Sequence, residues 1–457
     1  MSTGARSTAA PPASTADIAE ALGPLRAALR DVSTIEERGR VTELLGTLVK
    51  AVGVRASVGE LCELRTRQGR ALYAEVVGFR GGAAILTPFG DITGLSIDAD
   101  VIATRRRFAV PTGSGLLGRV LDGFGNPLDG RGPIVGARPE PADADPPPAL
   151  SRKSVSRVCE TGIRAIDTLL SIGEGQRVGV VAQVGVGKTT LLGMLARGTR
   201  ADVTVVALIG ERGREVGEFL SQTLGPKGLG KSVVVVSTSD RPAVERAKCA
   251  QVATAIAEGF RRQGQHVLLL VDSITRYVRA LREIGLASGE TPTRRGFPPS
   301  VFAALPRLLE RAGNDDRGAI TAFYTLLIEG DEESDPIAEE VRSLLDGHLQ
   351  LSRAQAQAHQ FPAIDVLASL SRVMPAITPA AQQEAAARVR SWLGKFREIE
   401  LLLQMGEYKQ GADAEADEAV AHMPELRRFL QQRPDEFSNA QSAISMLMSL
   451  VGGPASG

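Results

Sequence analysis

The apolar positions change texture along the chain, and each texture predicts a different kind of element. A short helix is predicted from about Ile35 to Val52. From Ala56 to Val110, short β-branched runs alternate with glycine pairs. Ala71 to Val77, Ala83 to Leu86 and Val101 to Ala103 predict strands of a small barrel or sandwich, with turns at Gly81-Gly82 and Gly90-Asp91. Between Gln176 and about Arg353, aliphatic runs of strand length alternate with helical patterns: Val178 to Val181, Val203 to Ile209, Val233 to Val236, Val267 to Val271 and Ile320 to Leu327. A strand apolar at every position needs cover on both faces, so these runs predict a mainly parallel sheet between helices. Past Pro379, as in Ala385 to Met405, glutamine, alanine, glutamate and leucine take helical spacing and predict a closing helical domain.

The fold class expected is therefore α/β: a β-barrel, a central parallel-sheet domain and C-terminal helices. We place a flexible arm at residues 1–25, the barrel at 26–110, the central domain at 111–380 and the helices at 381–457. A proline-rich linker is expected at about 130–157, following Asp-Gly-Phe-Gly-Asn-Pro-Leu-Asp-Gly from Asp122 and running through Pro146-Pro147-Pro148. With 457 residues the chain is long enough for more than one core.

Composition narrows the function. Lysine plus arginine and aspartate plus glutamate are both 53, so nothing in the net charge suggests a polyanion partner held by a broad basic surface, and no nucleic-acid partner is expected. The cysteines, Cys62, Cys159 and Cys249, lack metal or disulfide spacing, which fits a reducing, cytoplasmic compartment. The first residues carry no signal-peptide pattern, and the apolar runs fall well short of the roughly 20 residues a bilayer span needs. Any membrane association is expected to be peripheral. His266, His348, His359 and His422 have no metal spacing, and the basic runs Arg105-Arg106-Arg107 and Arg294-Arg295 read as solvated faces.

The chemistry concentrates after the strand Val178 to Val181. There Ala182-Gln183-Val184-Gly185-Val186-Gly187-Lys188-Thr189-Thr190 leads into the helical Leu191 to Arg197. Glycines let backbone N–H groups approach phosphate oxygens, a helix N-terminus adds its positive end, Lys188 reaches the β- and γ-phosphates, and the Thr189 hydroxyl can ligate Mg²⁺. The first glycine of this signature is replaced by Ala182. Asp272 ends the strand Val267 to Val271, where an acid points into the ligand crevice and can hold Mg²⁺ through water. The strand Val203 to Ile209 ends in Gly210-Glu211-Arg212-Gly213-Arg214-Glu215, placing carboxylates where hydrolysis needs a group to polarise water; a solvated charged turn is the alternative.

At these residues the chain resembles the ATPases of type III secretion and flagellar export, relatives of the rotary ATP synthase catalytic subunit. The resemblance runs from about Gly115 to Met405. It is carried by Leu121 to Gly130, Ala207 to Glu215, Asp272 to Gly285, Gly296 to Gly313 and Phe361 to Met374. It implies a RecA-like nucleotide domain within a homohexamer, with ATP and Mg²⁺ bound between subunits. It further implies that Glu211 is the catalytic glutamate, that Arg212 faces the γ-phosphate, and that Arg372 is an arginine finger for the adjacent subunit. Phe361 matches the aromatic residue that stacks on adenine. The phosphate loop departs from the family's pattern at Gln183 and Val184, where small residues are usual. The implied partners are a central stalk, regulatory proteins of the export apparatus and chaperone–effector complexes, at the cytoplasmic face of the inner membrane. LDGFGNPLDG and GFPPSVFAALPRLLERAG look closer to injectisome than to flagellar ATPases. Two further readings are a non-hydrolysing ring subunit, against which Glu211 argues, and an RNA-translocating hexamer, for which only Tyr73 and Phe79 would offer barrel aromatics.

Overall fold

A computed structural model describes residues 37–66, 69, 71–328 and 335–452. The expected arm at 1–25 lies outside these residues. The described chain begins with strands β1 (Arg38–Leu45), β2 (Leu48–Val52), β3 (Glu60–Arg65), β4 (Ala71–Arg80), β5 (Ala83–Pro88) and β6 (Asp100–Arg107), closed into a barrel in the order β1-β2-β5-β4-β3-β6. Val41, Val49, Leu64, Ala74, Val76, Leu86 and Val101 fill its interior. The β4–β5 turn uses Gly81 and Gly82, both at positive φ (59° and 78°), the conformation a two-residue hairpin of the native twist requires.

The helix expected from Ile35 to Val52 is not there; over the described part of that range the chain forms β1 and β2. The register between them shifts after Val41, so one extra residue interrupts the two-residue alternation that would have marked a strand.

Beyond the barrel, β7 (Ala109–Thr112) pairs with β9 (Arg138–Pro141) as a separate ribbon, and β8 (Val120–Asp122) lies between them in sequence. Near the end of the proline-rich segment, Arg152 donates to the carbonyls of Glu310 and Ala312. The main sheet adds β10 (Arg177–Ala182), β11 (Val203–Glu211), β12 (Ser232–Thr238), β13 (His266–Asp272), β14 (Gly313–Asn314), β15 (Ala319–Leu327), β16 (Gly347–Leu351) and β17 (Ile364–Ser371). Its order is β17-β16-β10-β15-β13-β11-β12-β8, parallel except for β17, with β14 antiparallel on β15.

Both faces of this sheet are buried, which is why its strands are continuously aliphatic. Val205, Ala207 and Ile209 pack on the side of the helix Ala243–Arg261; Val206 and Leu208 pack on the side of the helix Lys188–Gly198. The second layer extends through Val389, Trp392 and Leu426 into the helices Ala380–Met405, Ala414–Leu430 and Ala440–Gly452. Among the described residues, no helix is long and apolar enough to cross a membrane.

The stretch Leu121 to Gly130 proves to be scaffold. Asp122 Oδ1 accepts from the backbone of Phe124 (2.9 Å) and Asn126 (2.8 Å). Asp129 takes a bidentate bond from the buried Arg119 (2.7 and 2.9 Å), which holds its carboxyl well below the usual range.

Candidate active site

Strand β10 is buried to its last residue, Ala182, and delivers the loop that follows to the C-terminal edge of the sheet. Gln183 is half-buried, Val184 is exposed, and Val186 is anchored in the core beneath the helix Lys188–Gly198. Gly185 (φ 83°) and Gly187 (φ 91°) take a conformation that a side chain would strain. Gly187 is also the N-cap of the helix, and a Cβ there would stand 3.2 Å from the Phe361 ring. The unsatisfied N–H groups of the first turn and the helix dipole make this end a ready anion site, with Thr189 and Thr190 exposed beside it.

Charged groups from the neighbouring strands converge here. Lys188 Nζ bonds Asp272 and lies 3.5 Å from Glu211 Oε1. Asp272, at the end of β13, also accepts from Thr325 Oγ1 of β15 (2.8 Å). Burial would lower the Lys188 pKa, but the two carboxylates outweigh it and hold the ammonium above its ordinary value. Glu211 reaches the pocket because the register of β11 on β12 shifts between Ile209 and Glu211, a bulge that re-aims its side chain. Burial and then the Asp272 charge push the Glu211 carboxyl up to about 7, and Glu215 adds to the rise. Glu211 Oε1 and the Nε of Arg276 are both buried without a hydrogen-bond partner. Lys188, Glu211 and Asp272 are thus brought together, and Phe361 stands over the loop.

Two residues lie apart from this cluster. Arg212 is turned out, its side chain 76% exposed and paired with Glu215 at 3.1 Å. Arg372 follows β17, which runs antiparallel to its neighbour β16, so it emerges at the opposite edge of the sheet from the phosphate loop. Its N–H is fixed to the Asp346 carbonyl (3.0 Å) beside Arg177, the first residue of β10, and it is exposed. Six strand residues, at roughly 3.3 Å each, separate that edge from its own phosphate loop.

Sequence reasoning missed Thr325 and Arg276, and gave Glu215 no role of its own. Thr325 had a faint signal as a polar residue inside an aliphatic strand. Arg276, four positions past Asp272, packs its stem on Gly210 and lowers the Glu211 pKa against the larger upward effects. His266, His348, His359 and His422 form no cluster; among the described residues no group of three or more His, Cys, Asp or Glu could hold a metal ion.

The donor set fits a nucleoside triphosphate with a magnesium ion. An ammonium and a helix N-terminus face where phosphates would lie, buried polar atoms of Glu211 and Arg276 without a hydrogen-bond partner lie beside them, and a hydroxyl and a carboxylate adjoin the loop. Magnesium characteristically takes one or two protein ligands and completes its shell with phosphate oxygens and water. Thr189 and Asp272 are the residues that would hold it.

Fold and site together define a RecA-like P-loop ATPase. Residues 41–105 match the β-barrel domain and residues 162–371 the nucleotide-binding domain of the ATP synthase alpha/beta family, and residues 378–449 match the T3SS EscN ATPase C-terminal domain. The chain is 56% identical to a type 3 secretion system ATPase of Xanthomonas euvesicatoria over 90% of its own length and 94% of the relative's. It is 48% identical to a flagellum-specific ATP synthase of Treponema pallidum over 95% and 97%. The solved structure of the assembled ATPase EscN from enteropathogenic E. coli superposes with a TM-score of 0.86 at 44% identity, covering 90% of this chain and all of that one. The chain belongs to the type III secretion ATPase family.

Proposed function

We propose that this protein hydrolyses Mg-ATP as a homohexamer to energise type III protein export, releasing chaperones from export substrates and unfolding them at the cytoplasmic face of the inner membrane. Glu211 polarises the attacking water, and Lys188 with the loop backbone binds the phosphates. Thr189 and Asp272 hold magnesium, which neutralises phosphate charge when bound. Phe361 stacks on adenine. Arg212 swings from Glu215 toward the γ-phosphate when nucleotide enters.

The observation that carries this reading is the placement of Arg372. It is exposed and anchored by its backbone, on the sheet edge opposite its own phosphate loop, which supports a role at another copy's site. A finger given in trans makes hydrolysis depend on assembly. EscN has been solved as an assembled ATPase in complex with its central stalk EscO, and a stalk of that kind is the partner we infer here.

The injectisome is the machine we favour, in line with 56% and 52% identity to type 3 secretion system ATPases of Xanthomonas euvesicatoria and Sinorhizobium fredii. The test is a chromosomal Lys188→Ala allele. Loss of injectisome substrates from the medium with motility intact supports the assignment; loss of flagellin export instead transfers it to the flagellum, and unchanged secretion of both overturns it.

A further inference from the structure

The C-terminal helices are fastened to the nucleotide domain at a point the chemistry above does not use. Arg164, 9% exposed, begins the short helix Arg164–Leu169. Its guanidinium donates to the carbonyls of Phe429 (2.9 Å) and Gln431 and to the Glu436 carboxylate. These acceptors lie at the end of the helix Ala414–Leu430 and in the segment that leads on to the helix Ala440–Gly452. Within that segment Gln432 is 4% exposed and its side chain makes three hydrogen bonds: Oε1 accepts from Arg164 N (2.9 Å), and Nε2 donates to the carbonyls of Gly162 (2.7 Å) and Glu436 (2.9 Å).

The backbone N–H of this same Gln432 donates to the carbonyl of Phe361 at 2.9 Å. The Phe361 ring lies against Gly187 at one end of the phosphate-loop helix, and Gly162 abuts Gly198 at the other. The contacts close a circuit around that helix: Gly187 to Phe361, Phe361 to Gln432, Gln432 to Arg164 and Gly162, and Gly162 to Gly198. A buried amide held by three hydrogen bonds keeps its backbone in one place, because displacing it would leave several buried polar groups unpaired. Whatever moves the segment 431–438 must therefore move the main chain of Phe361.

From this circuit we infer that Gln432, locked by Arg164, is a positioning residue for Phe361. It sets where the aromatic ring stands over the phosphate loop, and so how tightly the base of a bound nucleotide is gripped, and it passes displacement of the C-terminal helices to the nucleotide site. The inference rests on the reading of Phe361 as the base-stacking residue.

The test compares wild type, Phe361→Ala, Gln432→Ala and the double variant, measuring KM and kcat for ATP and the Kd values of ATP and of inorganic tripolyphosphate, which has no base. Gln432→Ala should weaken ATP about tenfold, the scale of a lost base-stacking contact, in both KM and Kd. Its kcat should stay within about twofold and tripolyphosphate affinity should not change. The double variant should be no weaker than Phe361→Ala alone, because both act through one ring. Arg164→Lys, which keeps charge and most volume but loses the fork, should move ATP affinity in the same direction and covers the case in which Gln432→Ala does not fold. Additive effects, or equal weakening of ATP and tripolyphosphate, overturn the positioning role in favour of general loosening. If Phe361→Ala weakens ATP and neither Gln432→Ala nor Arg164→Lys does, this inference alone fails. If Phe361→Ala leaves ATP affinity unchanged, the base-stacking reading fails and takes this inference with it.

Discussion

Replacing Glu211 by glutamine should make the nucleotide-free protein more stable while nearly abolishing turnover. The Glu211 side chain is 14% exposed and shares its pocket with Asp272, and one ammonium, Lys188, serves both carboxylates. Its carboxyl, ordinarily near 4.5, is pushed up to about 7. At about 1.4 kcal/mol for each tenfold change in proton affinity, ionising it in the fold costs up to about 3 kcal/mol more than ionising it in the unfolded chain. The sign follows from a folded value above the unfolded one. The wild type has the full contribution of this group below about pH 4.5 and loses it as the pH rises through 7. Glutamine does not titrate, so Glu211→Gln should match the wild type near pH 4.5 and exceed it at pH 8, by about 1–3 kcal/mol once Lys188 and solvent screening are allowed for. Differential scanning calorimetry without nucleotide or Mg²⁺, from pH 4.5 to 8.5, reads this as a Tm difference that opens with pH. ATP turnover by the same protein should fall by about 10²- to 10⁴-fold, the contribution of a positioned general base, with ATP still bound. A Tm difference of the same size at both ends, or a variant less stable at pH 8, refutes the electrostatic argument; kcat retained within about fivefold refutes the catalytic role.

Other consequences can be checked separately. Lys188→Ala removes the ammonium that faces the phosphates and leaves Asp272 and Glu211 without their shared cation, so ATP binding should be lost by calorimetric titration while the fold survives by circular dichroism. Glu258 and Arg311 form a bidentate pair at 2.9 and 2.7 Å, both almost fully buried; Glu258→Gln should cost about 3–5 kcal/mol in urea unfolding by leaving the guanidinium poorly compensated. The thiols of Cys62, Cys159 and Cys249 are buried, and burial pushes Cys62 up to about 12 and the others up as well. A thiol-exchange reagent should leave all of them untouched in native protein and titrate them in denaturant.

How far the sequence speaks for the structure depends on how local each feature is. The phosphate loop and the sheet strands were legible because strand, loop and helix follow one another and because burial on both faces leaves an unbroken aliphatic run, as in Val267 to Val271. β1 was not, because its bulge after Val41 erases the alternation on which a strand is recognised. The proline-rich stretch reads as a linker, and nothing in its composition tells that Arg152 finds the carbonyls of Glu310 and Ala312. Long-range pairings were hidden for the same reason. Thr325 meets Asp272 across two adjacent strands, and Gln432 meets Phe361 only once the C-terminal helices have folded back onto the domain. Glu211 itself was ambiguous between catalysis and a solvated turn until the bulge at Gly210 aimed it at Lys188.

If each site is completed by a neighbour's Arg372, two inactive proteins should restore one another when mixed. Arg372→Ala should bind ATP yet turn it over about 10³- to 10⁵-fold more slowly, and Glu211→Gln is inactive through its own site. In rings formed from equal amounts of the two, roughly a quarter of interfaces join an intact phosphate-loop face with Glu211 to an intact Arg372 face. ATPase activity should therefore reappear on mixing, at a substantial fraction of the wild-type rate. If the mixture, shown to contain both chains in one ring, stays as inactive as its components, Arg372 does not act across the interface and the composite site is wrong.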